Sequence, residues 1–195
     1  IGIGCEALLR RILQDTLGLT ASDARWSYTV PMMNGRARTL TLDGRIPLDR
    51  MTDTAAHRRI HNWIEEATRT LEIDPRIARG LTGIVFEVRQ GYKSKDPKRQ
   101  NADIANAVSA YTSTYLPCVL VFSTQIDADI LLRYRAERWI MLTGIVGAND
   151  PMISTYDFLR EIIGYDLGAF FSRVSPLLRA EIDTTLKALL SPGNQ

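Results

Sequence analysis

Between Phe86 and Asp103 the chain reads Phe-Glu-Val-Arg-Gln-Gly-Tyr-Lys-Ser-Lys-Asp-Pro-Lys-Arg-Gln-Asn-Ala-Asp. One carboxylate, Glu87, and one guanidinium, Arg89, are followed by four more cations, Lys93, Lys95, Lys98 and Arg99. Leaving a carboxylate buried and unpaired costs on the order of several kcal/mol, so Glu87 needs a cation, a divalent ion or water beside it. Arg89, two residues on and so on the same face of a strand, meets that need as a plain ion pair. The basic run offers another reading. Four cations beside one exposed carboxylate gather polyphosphate, but the carboxylate repels it unless a divalent ion lies between them. Taken by itself, the run reads equally well as a solvated charged loop.

Magnesium is held by one or two carboxylates together with waters and phosphate oxygens, so the second reading requires another acid nearby. Asp43 is the first choice. It closes the run Leu40-Thr-Leu-Asp-Gly-Arg45, where Gly44 lets the chain turn away, and it alternates with Thr39 and Thr41 on a polar face. Asp74 is the second choice, although its Asp-Pro context favours capping a helix.

The elements that must position these groups follow from periodicity. Leu8, Leu9, Ile12, Leu13 and Leu17 recur at helical spacing before Gly18, which predicts a helix over 5–17. Two β-rich runs, Trp26–Val30 and Arg38–Leu42, flank Asn34-Gly35, the strongest short signal for a hairpin. Ile60, Trp63, Ile64, Ala67 and Leu71 share one face of a helix over Ala55–Leu71, and Pro75–Leu81 reads as a short second one. Ile84, Phe86 and Val88 alternate with Val85, Glu87 and Arg89 in a strand that ends at Gly91. Further on come a helix over Arg99–Tyr115, a buried strand over Cys118–Ser123, a helix over Asp127–Glu137 and a strand over Trp139–Thr143. The alternation of strand and helix over 84–143 implies parallel pairing. From Tyr156 the apolar positions are helical, interrupted at Gly164 and Pro176. The expected fold is α/β: a mixed sheet, antiparallel hairpin plus parallel strands, flanked by helices, with a helical C-terminal cap over 155–191.

Composition narrows the class. In 195 residues, 24 basic side chains face 22 acidic ones, with 45% hydrophobic and 24% charged residues, which excludes disordered, collagen-like and acidic-tail chains. That length suits a single domain over 1–195. Twenty of the cations are Arg and only four are Lys, of which three lie in the basic run. No apolar run reaches the roughly 20 residues of a membrane span. Ile1–Leu13 lacks the layout of a secretory signal, so a cytoplasmic location is expected. Cys5 and Cys118, each in an apolar stretch, read as buried thiols and not as a disulfide framework.

Asp43 at a strand end, Glu87-Val-Arg89 on a later strand, the basic loop, the helix from about Arg99 and the strand Val119–Phe122 resemble the PD-(D/E)xK nuclease superfamily, which includes many restriction endonucleases. The resemblance covers roughly 37–123, the expected catalytic core, on a short and degenerate motif. It implies a restriction-endonuclease-like fold and Mg²⁺-dependent hydrolysis of DNA, with Asp43, Glu87 and the main-chain carbonyl of Val88 as metal ligands. Lys93, Lys95, Lys98 and Arg99 would hold flanking phosphates, and Gln100 and Asn101 would reach base edges or sugar. The family carries Lys two residues after its Glu, where this chain has Arg89. Either Arg89 acts as a fixed cation, or Lys93 or Lys95 folds back into the role, or the site is inactive. A guanidinium is no base at ordinary pH, but it stabilises developing phosphate charge. The 44 positions from Asp43 to Glu87 exceed the usual hairpin connection of the family.

Other chemistry-bearing residues read as structural. His57, His61 and Glu65 share a helix face, but Arg58 and Arg59 oppose a bound cation. Gly2-Ile-Gly4 lacks the preceding strand and third glycine of a dinucleotide fingerprint. Tyr111 and Tyr115, one helical turn apart, read as core packing. Trp139, Phe170 and Phe171 read as core or subunit contact. The apolar tail, Leu167, Phe170, Phe171, Val174, Leu177 and Leu178, suggests a homodimer, which suits an enzyme that cuts both DNA strands.

Overall fold

Helix α1, Gly2–Leu17, buries the stripe its spacing predicts, Leu9, Ile12, Leu13 and Leu17. Gly18 ends it at φ +67°, a left-handed conformation that glycine adopts without a Cβ penalty, with its N–H on the Gln14 carbonyl. The computed structural model describes residues 2–31, 37–91 and 106–190. The chain divides into two compact units, Ile1–Tyr165 and Asp166–Gln195.

In the first unit, β1 (Trp26–Pro31) and β2 (Ala37–Leu42) form an antiparallel pair, from Trp26 opposite Leu42 to Pro31 opposite Ala37. Asn34-Gly35 lies outside the described residues. The pair makes a two-stranded sheet of its own, separate from a four-stranded sheet. That larger sheet has β3 (Gly44–Pro47) antiparallel to β4 (Gly83–Arg89), then β5 (Tyr115–Val121) and β6 (Ile140–Leu142) in parallel. The mixed α/β sheet expected from the sequence is present. Its antiparallel member, however, is β3 and not the hairpin. Four residues, Gly-Arg-Ile-Pro, are too few to show a period, so the sequence gives no sign of this strand.

β4 lies between β3 and β5, and side chains on both of its faces are buried. Ile84, Val85, Phe86 and Val88 are all buried, and Val85 packs in one cluster with Trp26, Leu42, Val119, Tyr134, Trp139 and Met141. The polar face expected for Glu87 is therefore not solvent-facing: Glu87 is only 7% exposed. At Pro117, β5 has no β6 beside it, because that ladder starts at Cys118, and an open edge is where a strand tolerates proline. Gly83 is required by crowding, since a Cβ there would lie 2.0 Å from the Ile46 carbonyl oxygen of β3. Gly83→Ala must push β3 off β4, and we expect it to lower the unfolding free energy by about 3 kcal/mol in urea titrations.

Several boundaries differ from expectation. Residues 106–112 are helical, and Thr114 at φ 64° breaks the helix before Tyr115, which belongs to β5. Tyr111 and Tyr115 thus lie on two elements and not one turn apart. Tyr115 packs half-buried on Trp26 at the core, whereas the Tyr111 hydroxyl donates to the Arg138 carbonyl at 2.6 Å. Helix α2, Thr54–Thr70, starts on an Asp53 side chain that accepts from the Ala55 and Ala56 N–H groups, and it buries Ile60, Trp63, Ile64 and Ala67. Helix α3 is only Pro75–Ala78. Helix α4, Ala128–Ala136, precedes β6, whereas α5, Thr155–Asp157, runs into a π-helical turn, Phe158–Ile163, stopped by Gly164 at φ +96°. Cys118 is buried as expected, but Cys5 is half-buried.

The second unit is built on α6, Leu167–Leu190, which continues through Pro176. The expected interruption there is absent: proline deletes one N–H from the ladder of a 24-residue helix without ending it. Leu177, Leu178, Ile182 and Leu186 on this helix are exposed. Among the described residues no helix is long and apolar enough to cross a membrane.

Candidate functional site

The site is built where β3 stops accompanying β4. Their ladder covers Gly44–Pro47 against Gly83–Phe86, so beyond Phe86 that side of β4 has no strand partner. Backbone polar groups left this way must find other partners. Asp43, at the bend between β2 and β3, supplies them: its N–H donates to the Phe86 carbonyl at 2.8 Å, and its Oδ2 accepts from the Val88 N–H at 2.8 Å. A carboxylate thus continues the ladder where the strand gives out. From α1, Arg10 Nη1 donates to the Asp43 carbonyl at 2.8 Å, and Glu6 lies 3.9 Å from the same nitrogen. Two elements far apart in sequence, α1 and β4, therefore fix Asp43.

Glu87 and Arg89 share a face of β4, and the guanidinium folds back over the strand. Its Nη2 pairs closely with Glu87 Oε1. Its Nη1 donates to the Val88 carbonyl at 3.3 Å and lies 4.0 Å from Asp43 Oδ2. The Arg89 side chain is 12% exposed. One cation accordingly lies at the convergence of two carboxylates and one main-chain carbonyl, the same three groups expected as metal ligands.

Among the described residues, the carboxylates of Glu6, Asp43 and Glu87 meet the guanidinium groups of Arg10 and Arg89 here. Burial pushes the Asp43 carboxyl above its ordinary value; the Val88 N–H draws it down, Glu6 raises it, and Arg89 and Arg10 lower it, the net direction being upward. Native Asp43 therefore holds its proton to a higher pH than the unfolded chain does. In that window the native state binds more protons, so stability falls as pH rises through it. At neutral pH the ionised group is carried at a cost. Asp43→Asn keeps an acceptor for the Val88 N–H and removes the charge. We expect it to raise the thermal midpoint at pH 7, with the gain vanishing below the ordinary carboxylate range, where both proteins carry a neutral side chain.

The donor set fits a hard divalent ion. All three protein donors are oxygens, which suits Mg²⁺ or Mn²⁺ over zinc, and a cationic guanidinium already lies among them as a stand-in. Among the described residues no cluster of three or more His, Cys, Asp and Glu is arranged to hold a metal, so the chain would contribute two carboxylates and a carbonyl, the rest coming from water and phosphate.

Of the other sequence candidates, Lys93, Lys95, Lys98, Arg99, Gln100 and Asn101 lie outside the described residues. Asp74 is engaged in capping α3 through the Arg76 N–H, with Arg76 Nη2 2.7 Å from its Oδ2. The His57 and His61 rings stack 6.3 Å apart on α2, with His61 3.8 Å from Glu65. Glu6 and Arg10 escape a reading of the sequence. Their spacing of four marks only an ordinary helical ion pair, and nothing in α1 says that this face meets the end of β4. Comparison with known protein families, with curated proteins and with solved structures finds no match.

Proposed function

We propose that this chain is a Mg²⁺-dependent endonuclease that hydrolyses DNA phosphodiester bonds, in a restriction or defence role in the cytoplasm. The observation that supports the reading is the convergence of the Asp43 and Glu87 carboxylates and the Val88 carbonyl on one cation. Asp43, Glu87 and Val88 would hold the ion. When bound, it supplies Lewis acidity, polarising a phosphate oxygen and acidifying water. Asp43 is held at its backbone by β4 and Arg10, so its carboxylate needs little reorganisation to serve. Arg89 provides positive charge for the developing phosphorane, and the basic run from Lys93, with Lys95, Lys98 and Arg99, would hold flanking phosphates. Duplex DNA has two strands related by local two-fold symmetry, so a homodimer is the assembly this reading implies, with the exposed leucines of α6 as the contact.

The test is direct. Supercoiled plasmid incubated with the purified chain and Mg²⁺ should be nicked or linearised, and EDTA should stop the reaction. A second reading, a nucleic-acid-binding module without catalysis, is favoured by one observation, that Arg stands in the usual Lys position and closes on Glu87. Salt-dependent DNA retardation without cutting, across Mg²⁺, Mn²⁺ and Ca²⁺, would select that module.

A further inference from the structure

We propose that Arg89 is an internal cation occupying the ion's own place, so that the resting site is closed and binding of a divalent ion requires the guanidinium to leave. The proposal rests on the metal reading of the site and adds how that site is regulated. Among the described residues, the resting position is marked by Nη2 on Glu87 Oε1, Nη1 on the Val88 carbonyl at 3.3 Å, and Nη1 facing Asp43 Oδ2 at 4.0 Å. A planar guanidinium presents several donors in a fixed fork, which is why one side chain can reach across three acceptors. A divalent ion drawing on those same oxygens cannot share the space with it. Two like charges, +1 and +2, would lie within a few ångströms of each other in a site only 12% exposed at the arginine.

The consequence is linkage between ion and substrate. The two states of Arg89, seated and displaced, have opposite preferences: the seated state excludes the ion, and the displaced state presents the guanidinium to a phosphate. A phosphodiester entering the site offers the arginine another anionic partner, so it favours the displaced state and with it the ion. The ion in turn favours the phosphodiester by the same factor. Without DNA the site takes up ions poorly, which keeps an idle nuclease inert. Lysine in the same position would present a single ammonium point charge and could not bridge the three oxygens together.

The experiment reads Mn²⁺ binding by electron paramagnetic resonance on the full chain, with and without a short DNA duplex. The apparent affinity of the wild type is reduced by the fraction of molecules with Arg89 displaced. If that fraction lies between about one in ten and one in a hundred, Arg89→Met binds Mn²⁺ about tenfold to a hundredfold more tightly. The duplex should tighten Mn²⁺ binding to the wild type and leave the Arg89→Met affinity nearly unchanged. Arg89→Lys, which keeps a charge and guards against a misfolded Met variant, should fall between the two. Equal or weaker binding in both variants, with a wild-type site that Asp43→Asn abolishes, overturns the proposal and leaves the metal reading standing. No Mn²⁺ binding in any of the proteins, with or without duplex, overturns both.

Discussion

Glu87→Gln is expected to lower the rate of plasmid cleavage by roughly a thousandfold, the scale on which removing one preorganised electrostatic group from a water-poor site is felt. Glutamine fills the same volume and can still bond Arg89, so β4 and its neighbours remain packed around a residue that is 7% exposed in the wild type. What disappears is one of the two carboxylates that Arg89 lies between. DNA affinity should stay level or rise, because the change removes a negative charge beside phosphate. Single-turnover cleavage and a retardation titration on the same preparation separate the two effects. A Glu87→Gln protein that cuts within tenfold of the wild type would remove Glu87 from the site.

That Asp43 and Glu87 lie beside one another was legible in the sequence because Glu87 interrupts an apolar strand, where an unpaired carboxylate demands an explanation, and Asp43 closes a β-rich run on its polar face. The order of helices and strands was legible for the same reason that α1, α2 and β4 formed: each has an apolar period long enough to count. What escaped was short or distant. Gly44–Pro47 is four residues, too brief for a period, yet by ending opposite Phe86 it decides where the Val88 peptide group opens toward Asp43. Thr114, at positive φ, shortens a helix whose alanine-rich composition argued for continuing to Tyr115. Glu6 and Arg10 join the site by tertiary packing of α1, which no local pattern encodes. The exposed setting expected for Glu87 failed because strand alternation tells which residues share a face, and not whether another layer covers it.

Arg89→Met is expected to cost about 3–5 kcal/mol of unfolding free energy at pH 7, the range seen when one partner of a buried ion pair is deleted. In the wild type the guanidinium lies between Glu87 and Asp43, with side chains 9% and 19% exposed, and its removal leaves two carboxylates facing each other with little water. Protonation relieves that repulsion, so the penalty should shrink as pH falls through the raised Asp43 value, a direction opposite to ordinary acid denaturation. Urea titration from pH 7 down to pH 4 measures it; guanidinium chloride, a chemical relative of the missing side chain, is to be avoided. Mn²⁺ at a hundred times its dissociation constant should return about 2.7 kcal/mol to the variant through mass action. The wild type, whose arginine already occupies the place, should gain less at the same ion concentration. If Mn²⁺ stabilises the two proteins equally, Arg89 does not occupy the ion's place and is a structural partner of Glu87 and nothing more.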